Sequence, residues 1–139
     1  PLSVVYPSGA KTTYSYDSSG NLISSTNALG GTTSYTYNAL AERTSATNPL
    51  GDTTTYTYDP YGDLASVANP LGDTTTYAYN ADGMRTSMVS PNGNVSGASQ
   101  SAWTTAYAYD SMGNLTSVTN PDGETTAYAY DAMGNRTSM

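Results

Sequence analysis

The chain contains no cysteine, histidine or phenylalanine, and it has one lysine and one tryptophan in 139 residues. Without cysteine it can form neither disulfides nor thiolate metal sites. Without histidine it lacks the commonest general base and transition-metal ligand near neutral pH. Four basic residues against 11 acidic ones give a net charge of −7, which argues against nucleic acid and anionic lipid as partners. We expect no enzyme activity and no cofactor.

No stretch of the sequence approaches the ~20 apolar residues of a membrane-spanning helix, so we expect no membrane insertion. A signal peptide is also absent, and the chain opens with Pro1 rather than methionine. We therefore expect a mature or excised section of a longer protein. Low charge and abundant Ser, Thr, Gly and Asn can indicate disorder, but regular alternation around tyrosine and threonine favours strands.

Tyrosine is the abundant residue, with 14 copies. The tripeptide Tyr-x-Tyr recurs six times, at spacings of 21, 21, 21, 30 and 21 residues. A fixed period of this length is typical of repeat architectures. We predict one repeat array over residues 1–139 with about six hairpin units, whose structural tyrosine pairs are Tyr14 and Tyr16, Tyr35 and Tyr37, Tyr56 and Tyr58, Tyr77 and Tyr79, Tyr107 and Tyr109, and Tyr128 and Tyr130.

The third copy shows how one unit is built. A strand is predicted over residues 53–58, a return strand over 63–68, and turns at Asp59-Pro60-Tyr61-Gly62 and Asn69-Pro70-Leu71-Gly72. In the first turn, Asp accepts backbone N–H bonds, Pro fixes φ and Gly takes a left-handed conformation. Connections this short permit only antiparallel neighbours. The sequence thus predicts an all-β fold of antiparallel hairpins with a 21-residue period, stacked into a spiralling sheet or a β-solenoid-like wall.

The register within a hairpin can be predicted, whereas the register between hairpins cannot. If the Asp-x-x-Gly turn is a type I turn with a glycine bulge, Asp59 pairs with Asp63 and Tyr58 faces Leu64. Successive tyrosine pairs would alternate faces if both turn types carried a bulge, and would share one face if only one did. The second copy has Asn38-Ala-Leu-Ala41 without glycine, so its turn should be the weakest or most altered.

Leucine and arginine alternate at the position that faces the second tyrosine of each pair. This alternation predicts a higher unit of two hairpins, in which half the tyrosines meet an aliphatic side chain and half meet a guanidinium, a contact of about 0.5–1 kcal/mol when exposed. Duplication of an ancestral pair without energetic meaning is the alternative. The six residues are Leu22, Arg43, Leu64, Arg85, Leu115 and Arg136.

Residues 94–103 are an insertion of mostly Gly, Ser, Asn and Gln, which indicates a loop that leaves the sheet and returns. Trp103, the only tryptophan, closes it. This aromatic side chain could bind a sugar ring or a partner chain, or it could cover the sheet where the loop departs. Three Asn-x-Ser/Thr sequons are possible glycosylation sites, at Asn94, Asn114 and Asn135, although turn chemistry also accounts for the last two.

Both ends of the predicted array leave an unpaired strand edge. Residues 1–6 lie in the phase of a return strand, and Asn135–Met139 begin another. An uncapped repeat array needs further repeats or other copies at its edges. The expected partners are flanking repeats of a longer chain, or identical copies stacked head to tail as a filament.

The unit Tyr-x-Tyr-Asp-x-x-Gly-Asn-[Leu/Arg]-x-Ser, followed by Asn-Pro-x-Gly, resembles the YD repeat of the Rhs family, best over residues 14–24, 107–117 and 128–138. That family includes bacterial Rhs and wall-associated proteins, toxin-complex subunits and animal teneurins. The resemblance implies hairpins that wind into a spiral sheet, which in large members forms a hollow shell around a toxin. Six repeats give only about a dozen strands, and the self-cleaving segment that follows the repeats in toxin-bearing members is not recognisable.

These observations favour a non-enzymatic structural scaffold, extracellular or at the cell surface. It would assemble end to end into a fibre or form a section of a longer Rhs-like shell. The alternative is a carbohydrate-binding repeat module that uses the tyrosine face and Trp103, with glycans as partners. A Ca²⁺ site at the turns is less favoured, because one Asp per turn supplies too few of the roughly six to eight oxygens required. Asp122 and Glu124 are a weak candidate for a glycosidase pair.

Overall fold

A computed structural model describes residues 2–139. Within this range the chain forms fourteen strands and two short 3₁₀ helices. The 3₁₀ helices, Pro91–Asn94 and Gln100–Trp103, both lie between the ninth and tenth strands. The strands are β1 Leu2–Val5, β2 Lys11–Tyr16, β3 Leu22–Thr26, β4 Thr32–Tyr37, β5 Arg43–Thr47, β6 Thr53–Tyr58, β7 Leu64–Ala68, β8 Thr74–Tyr79, β9 Arg85–Val89, β10 Thr104–Tyr109, β11 Leu115–Thr119, β12 Thr125–Ala127, β13 Ala129–Tyr130 and β14 Arg136–Ser138.

Strands β1 to β12 form one open antiparallel sheet in which every strand pairs with its neighbours in sequence. Strands β13 and β14 form a separate two-stranded hairpin that continues the series. The predicted all-β fold of antiparallel hairpins is confirmed. Of the first predicted return strand, residues 2–5 form β1, and Pro1 lies outside the described residues.

The Asp59 turn has the predicted hydrogen bonds. Asp59 Oδ1 accepts the backbone N–H groups of Tyr61 at 2.9 Å and of Asp63 at 3.0 Å. Gly62 donates to the Asp59 carbonyl at 3.1 Å and has a φ of 91°, which glycine adopts without strain. Because Asp63 is bonded within the turn, β7 begins one residue later than predicted, at Leu64.

The Asn38 turn was predicted to be the weakest or the most altered, and its hydrogen bonds show that its shape is not altered. It keeps both backbone bonds of the other turns, from Ala41 to the Asn38 carbonyl at 3.1 Å and from Asn38 to the Glu42 carbonyl at 3.0 Å. Ala41 takes the glycine position with a φ of 62°. A Cβ in the left-handed region costs about 1–2 kcal/mol. The missing glycine therefore adds backbone strain and leaves the shape of the turn unchanged.

All tyrosine pairs lie on one face of the sheet. Tyr58 pairs with Leu64 as predicted, and the register then shifts between Thr57 and Tyr58, so each tyrosine hairpin carries one bulge. No such shift occurs between β7 and β8, where Ala68 pairs with Thr74. Only one of the two connections changes register, which is the case in which successive pairs share a face. We call the side that bears the pairs the tyrosine face.

The opposite side, which we call the hydroxyl face, carries mostly threonine, serine and alanine. One rung crosses five strands as Thr36–Ser45–Thr55–Ala68–Thr74. Thr36 is the fifth residue of β4, whereas Thr74 is the first residue of β8. The rungs are therefore displaced by two residues per hairpin, so successive hairpins are staggered along the strand direction.

The sheet has a single layer and no enclosed core. Among the described residues, no hydrophobic side chain is fully buried. Eleven of the twelve paired tyrosines are half-buried, and Tyr16, in β2, is 43% exposed. Stability must then come from cross-strand pairs repeated at every rung, each about 0.2–1 kcal/mol. No helix in residues 2–139 has the length and hydropathy of a membrane span.

The segment between β9 and β10 packs onto the hydroxyl face. Gly93 is the one buried residue in the described range, and a Cβ there would lie 2.6 Å from Val89 Cγ1 and 2.7 Å from Trp103 Cβ. Asn94 Nδ2 donates to the carbonyl of Thr74 at 2.9 Å, and Asn94 Oδ1 lies 3.2 Å from Thr76 Oγ1. A glycine and an asparagine therefore hold the segment against β8.

Candidate functional site

The second tyrosine of a pair bonds to the preceding hairpin. Tyr58 donates its hydroxyl to the carbonyl of Arg43 at 2.9 Å, and Tyr79 donates to the carbonyl of Leu64 at 3.1 Å. The acceptor lies 15 residues earlier in the chain, or 24 where the insertion intervenes. The remaining bonds of the series join Tyr37 to Leu22, Tyr109 to Arg85 and Tyr130 to Leu115.

These hydroxyl groups satisfy carbonyls that the sheet leaves without a strand partner. Consecutive hairpins pair over three rungs only, as from Ser66 to Ala68 against Thr74 to Thr76. Leu64 lies beyond the last rung, where its carbonyl would otherwise need water. Tyr79 supplies the donor, and burial raises the pKa of its phenol, which keeps the proton needed for donation. Each hairpin thus depends on the next for one hydrogen bond of about 1 kcal/mol.

The first tyrosine of a pair stacks against arginine. Arg43 Cζ lies 5.7 Å from the ring centroid of Tyr35, in its own hairpin, and 4.9 Å from that of Tyr56, in the next. We predicted contact with the second tyrosine, Tyr37, which is the strand partner of Arg43. The prediction was wrong because the arginine side chain is long enough to reach the rings on either side. One guanidinium therefore joins two hairpins.

The same arrangement recurs at the next arginine. Arg85 Cζ lies 5.7 Å from the Tyr77 centroid and 4.5 Å from the Tyr107 centroid. Arg136 lies 5.7 Å from Tyr128 in the last hairpin. Three arginines therefore contact five of the six first tyrosines. One arginine every second hairpin thus contacts both neighbouring rings, which agrees with the predicted higher unit of two hairpins.

Hydroxyl pairs on the opposite face join strands locally. Thr57 Oγ1 lies 2.6 Å from Ser66 Oγ, and Thr47 Oγ1 lies 2.8 Å from Thr53 Oγ1. These contacts link residues that are already paired through the backbone. The hydroxyl face therefore reinforces register, whereas the tyrosine face joins hairpins beyond their last rung.

Trp103 and the tyrosine pairs do not form one surface. Trp103 belongs to the segment on the hydroxyl face, where its Cβ and Cγ lie against Gly93, and its side chain is 39% exposed. The tyrosine rings point from the opposite side of the sheet, where arginine covers the first ring of most pairs. A ligand could reach Trp103 or the tyrosines, but one small sugar could not contact both.

The sequon asparagines use their side-chain amides within the fold. Asn114 Nδ2 donates to Asp110 Oδ2 at 2.9 Å, and Asn135 Nδ2 donates to Asp131 Oδ2 at 3.0 Å. Asn94 Nδ2 lies within 3.3 Å of three backbone carbonyls. An N-linked glycan would replace one of the two hydrogens on this nitrogen, so modification of the folded chain would compete with these bonds.

The same turns lower the pKa of their aspartates. The side-chain amide of Asn114, followed by its backbone N–H, stabilises the Asp110 carboxylate and lowers its pKa below the ordinary 3.8. Asp17 and Asp131 are shifted in the same direction by Asn21 and Asn135. Within residues 2–139, no group of three or more His, Cys, Asp or Glu side chains could hold a metal ion. The aspartates close turns, and that role explains their repetition.

Sequence reasoning missed two parts of this site. The carbonyl acceptors are backbone atoms, so no residue type marks them, and only the constant 15-residue separation could have pointed to them. Asn94 was predicted to lie in a polar loop and Gly93 just before it, yet both residues hold the loop against the sheet. A glycine and an asparagine in a segment rich in both carry no signal of their own.

Three solved structures share the fold. The Tc holotoxin pore of Photorhabdus luminescens is 20% identical, with a TM-score of 0.56, and the complex named TcdB2-TccC3-Cdc42 is 19% identical, with a TM-score of 0.57. The complex named TcdB2-TccC3-TEV also has a TM-score of 0.56 at 20% identity. Each match covers 92% of this chain but only 9% of the larger chain. At this identity the likeness concerns the fold alone.

The family comparison covers almost the whole sequence. No protein with curated annotation matches the chain. The model described as teneurin YD-shell, however, matches residues 8–139, which include all six tyrosine pairs and the insertion. The predicted resemblance to YD repeats is confirmed, and the chain belongs to the teneurin YD-shell family.

Proposed function

We propose that the chain is a non-enzymatic structural section of a protein shell, in which each hairpin stabilises the next. The observation that carries this proposal is the series of tyrosine hydroxyls bonded to the preceding hairpin, represented by Tyr58 and Tyr79. Hydroxyl groups used in this way stabilise the wall and are not free to donate to a ligand. The fold shared with much larger chains, of which this one spans 9%, supports the same function.

A section of a longer wall is favoured over an end-to-end fibre, because this chain covers only 9% of the larger chains that share its fold. We extend the proposal to an extracellular or cell-surface location, which the YD-repeat resemblance implies, with flanking repeats as partners.

Glycan binding and electron microscopy test this proposal together. A structural section should show no saturable binding on a glycan array. Binding that disappears in Trp103→Ala but persists in Ser96→Ala, a change within the same segment, would favour the carbohydrate-binding module instead. In electron micrographs of concentrated protein, we expect short assemblies of variable size. Long filaments of constant width would favour the fibre.

A further inference from the structure

All five methionines lie in the second half of the chain, and two of them line one cavity at an edge of the sheet. We propose that Met84 and Met112, together with the carboxylate of Asp82, form a binding site for a soft monovalent metal ion of the Cu⁺ class. The site lies between the fourth and fifth turns that follow the tyrosine strands. It uses none of the bonds that join the hairpins, so the inference goes beyond the proposed shell function.

The first observation is that Met84 departs from the residue type that the repeat uses at its position. The fifth residue of the other five turns after a tyrosine strand is asparagine, aspartate or glutamate. In four of these turns it forms a side-chain hydrogen bond with the first residue, as Asn114 Nδ2 does with Asp110 Oδ2 at 2.9 Å. A thioether is only a weak acceptor. The turn that contains Met84 therefore gives up a bond for a sulfur atom that the hairpin does not require.

The second observation is the position of the two thioethers. Met84 Sδ lies 3.6 Å from the position of a Cβ on Gly113, the residue next to Met112. Both methionines line a cavity of about 300 Å³ between the two turns. Met84 is half-buried, whereas Met112 is 62% exposed. Because methionine is unbranched and has three rotatable bonds, Met112 can turn its sulfur toward an ion held by Met84.

The third observation is a carboxylate that its own turn does not use. Asp82 and Asp110 both line the cavity. Asp110 closes its turn, since Oδ1 accepts the backbone N–H of Met112 at 2.9 Å. In the turn of Asp82 the equivalent bonds go to Asn80 Oδ1, from the backbone N–H of Asp82 at 3.1 Å and of Met84 at 2.9 Å. The exposed Asp82 carboxylate is therefore available to balance the charge of a bound cation.

This set of ligands favours one class of metal ion. Thioether sulfur is a soft ligand that suits Cu⁺, and Ag⁺ is its redox-inert analogue. Ca²⁺ takes about six to eight oxygens, more than two carboxylates supply. Zn²⁺ is bound mainly by thiolate and imidazole, and the chain has neither cysteine nor histidine. Two neutral thioethers and one carboxylate match the single charge of a monovalent ion.

Met133 is a matched control within the same molecule. It is the third residue of the last turn, the position that Met112 holds in the turn before it, and it is 85% exposed. The side chain beside its turn is that of Asn114, whose Oδ1 lies 3.7 Å from the position of a Cβ on Gly134. Met133 thus has an amide where Met112 has a thioether. The chain therefore contains one methionine pair and one single methionine in equivalent turns.

Calorimetric titration of the full chain with Ag⁺ in chloride-free buffer tests the site. We expect one Ag⁺ to bind more tightly than any other. Met84→Leu and Met112→Leu should each weaken it by at least about tenfold, since even the outer partners of metal ligands contribute about 10- to 100-fold. Met133→Leu should leave it unchanged. Exchange of methionine for leucine conserves volume, so circular dichroism should show all three variants folded.

The carboxylate is tested separately from the sulfurs. Asp82→Asn should weaken Ag⁺ binding about two- to fivefold, within the range of one exposed ion pair. Competition with a chromogenic Cu⁺ chelator under ascorbate should rank the variants in the same order. In NMR spectra the methyl signals of Met84 and Met112 should shift on addition of Ag⁺, and that of Met133 should not.

The proposal would be overturned by equal losses of affinity in Met84→Leu and Met133→Leu, or by several weak sites of equal affinity. Binding that survives both changes in the methionine pair would also overturn it, because the thioethers would then not be ligands. Ag⁺ binding without Cu⁺ binding would contradict the assignment to the Cu⁺ class. None of these results would affect the shell function, which depends on the tyrosine hydroxyls and not on this edge.

Discussion

The two faces of this single sheet stabilise it over different distances. On the tyrosine face, Tyr58 and Arg43 connect one hairpin to the next where backbone pairing has ended. On the hydroxyl face, Thr57 and Ser66 connect strands that are already paired. The comparison shows how a one-layer sheet persists without a core. Short contacts on one side fix the register, and long side chains on the other side couple successive hairpins.

The comparison also accounts for where the insertion packs. A segment laid over the tyrosine face would displace arginine from the rings that it contacts. The hydroxyl face has short side chains and leaves room, so Gly93 can approach Val89 closely there. The sheet can therefore accept nine extra residues between β9 and β10 without losing the tyrosine-to-arginine connection across the junction.

The largest expected effect comes from removing one ring on the tyrosine face. Tyr58→Ala loses a half-buried aromatic side chain and the bond to the Arg43 carbonyl. We expect it to lower the free energy of unfolding by about 2.5–3.5 kcal/mol, roughly half the range for fully buried aromatics plus one hydrogen bond. Thr57→Ala, its neighbour on the hydroxyl face, should cost about 0.5–1 kcal/mol. Urea unfolding followed by circular dichroism compares them, and equal losses would contradict the division between the faces.

Packing of the insertion on the hydroxyl face can be broken with one methyl group. Gly93→Ala places a Cβ within 2.7 Å of both Val89 and Trp103, so one of them must move. Overpacking of this kind costs about 1–3 kcal/mol. The variant should also shift Trp103 fluorescence in the folded state. Ser96→Ala, exposed in the same segment, is the control, and a Gly93→Ala chain with unchanged stability and fluorescence would mean that the insertion does not pack there.

Removing only the hydroxyl group of Tyr58 distinguishes the contribution of its hydrogen bond from that of its ring packing. Tyr58→Phe keeps the ring and removes the donor, leaving the Arg43 carbonyl without its partner. The expected loss is about 0.5–1.5 kcal/mol in the free energy of unfolding. Tyr61→Phe is the matched control, because Tyr61 is 91% exposed on the turn. If both changes were neutral in urea unfolding, the bond between hairpins would contribute nothing measurable.

Arginine stacking should contribute less than the phenol. Arg43→Gln removes the guanidinium from between Tyr35 and Tyr56, and we expect a loss of about 0.5–1 kcal/mol. Arg136→Gln, which contacts the ring of Tyr128, should cost about half as much. A thermal unfolding series of both variants measures the difference. Neutral results for both would favour the interpretation that Leu/Arg alternation is a trace of duplication without energetic meaning.

Much of the fold could be predicted because the repeat displays the same local rules six times. The turn at Asp59 and the pairing of Tyr58 with Leu64 follow from φ preferences and bonds within a few residues. The side of the sheet shared by the tyrosines could not be predicted, since it depends on whether Asn69 begins a second register shift. That choice is made by packing between hairpins, which no local residue type records.

The candidate site was less predictable than the fold because it depends on side-chain reach. Tyr37 was the natural partner of Arg43 by register, but the guanidinium extends to Tyr35 and Tyr56 instead. The Leu64 carbonyl became an acceptor because pairing between hairpins stops at Ser66. Both features arise where a ladder ends, and a sequence shows where strands lie more clearly than where their pairing stops.

The smallest expected effect on stability concerns the turns, which belong to neither face of the sheet. The folded Asp110 carboxylate has a pKa below the ordinary 3.8, chiefly through the Asn114 amide, so folding favours its charged form. A group of this kind contributes stability above the unfolded pKa, and the contribution is lost as the pH falls through the folded pKa. Asp110→Asn should therefore be less stable than the wild type near pH 6, and the gap should narrow below about pH 4. Thermal midpoints from pH 6 to pH 2 measure this gap.

Asp122→Asn provides the matched control for the acid series, because Asp122 occupies the turn between β11 and β12 and changes charge equally. This control measures the effect of removing one turn carboxylate, whereas Asp110→Asn also removes the acceptor of the Asn114 amide, which lowers the pKa of the Asp110 carboxyl. A gap for Asp110→Asn that stayed constant from pH 6 to pH 2 would mean that the turn does not stabilise the carboxylate. If Trp103 fluorescence changed over the same pH range as the stability gap, the acid-sensitive contact would lie near the hydroxyl face. The turns would then not be distinct from that face in their response to acid.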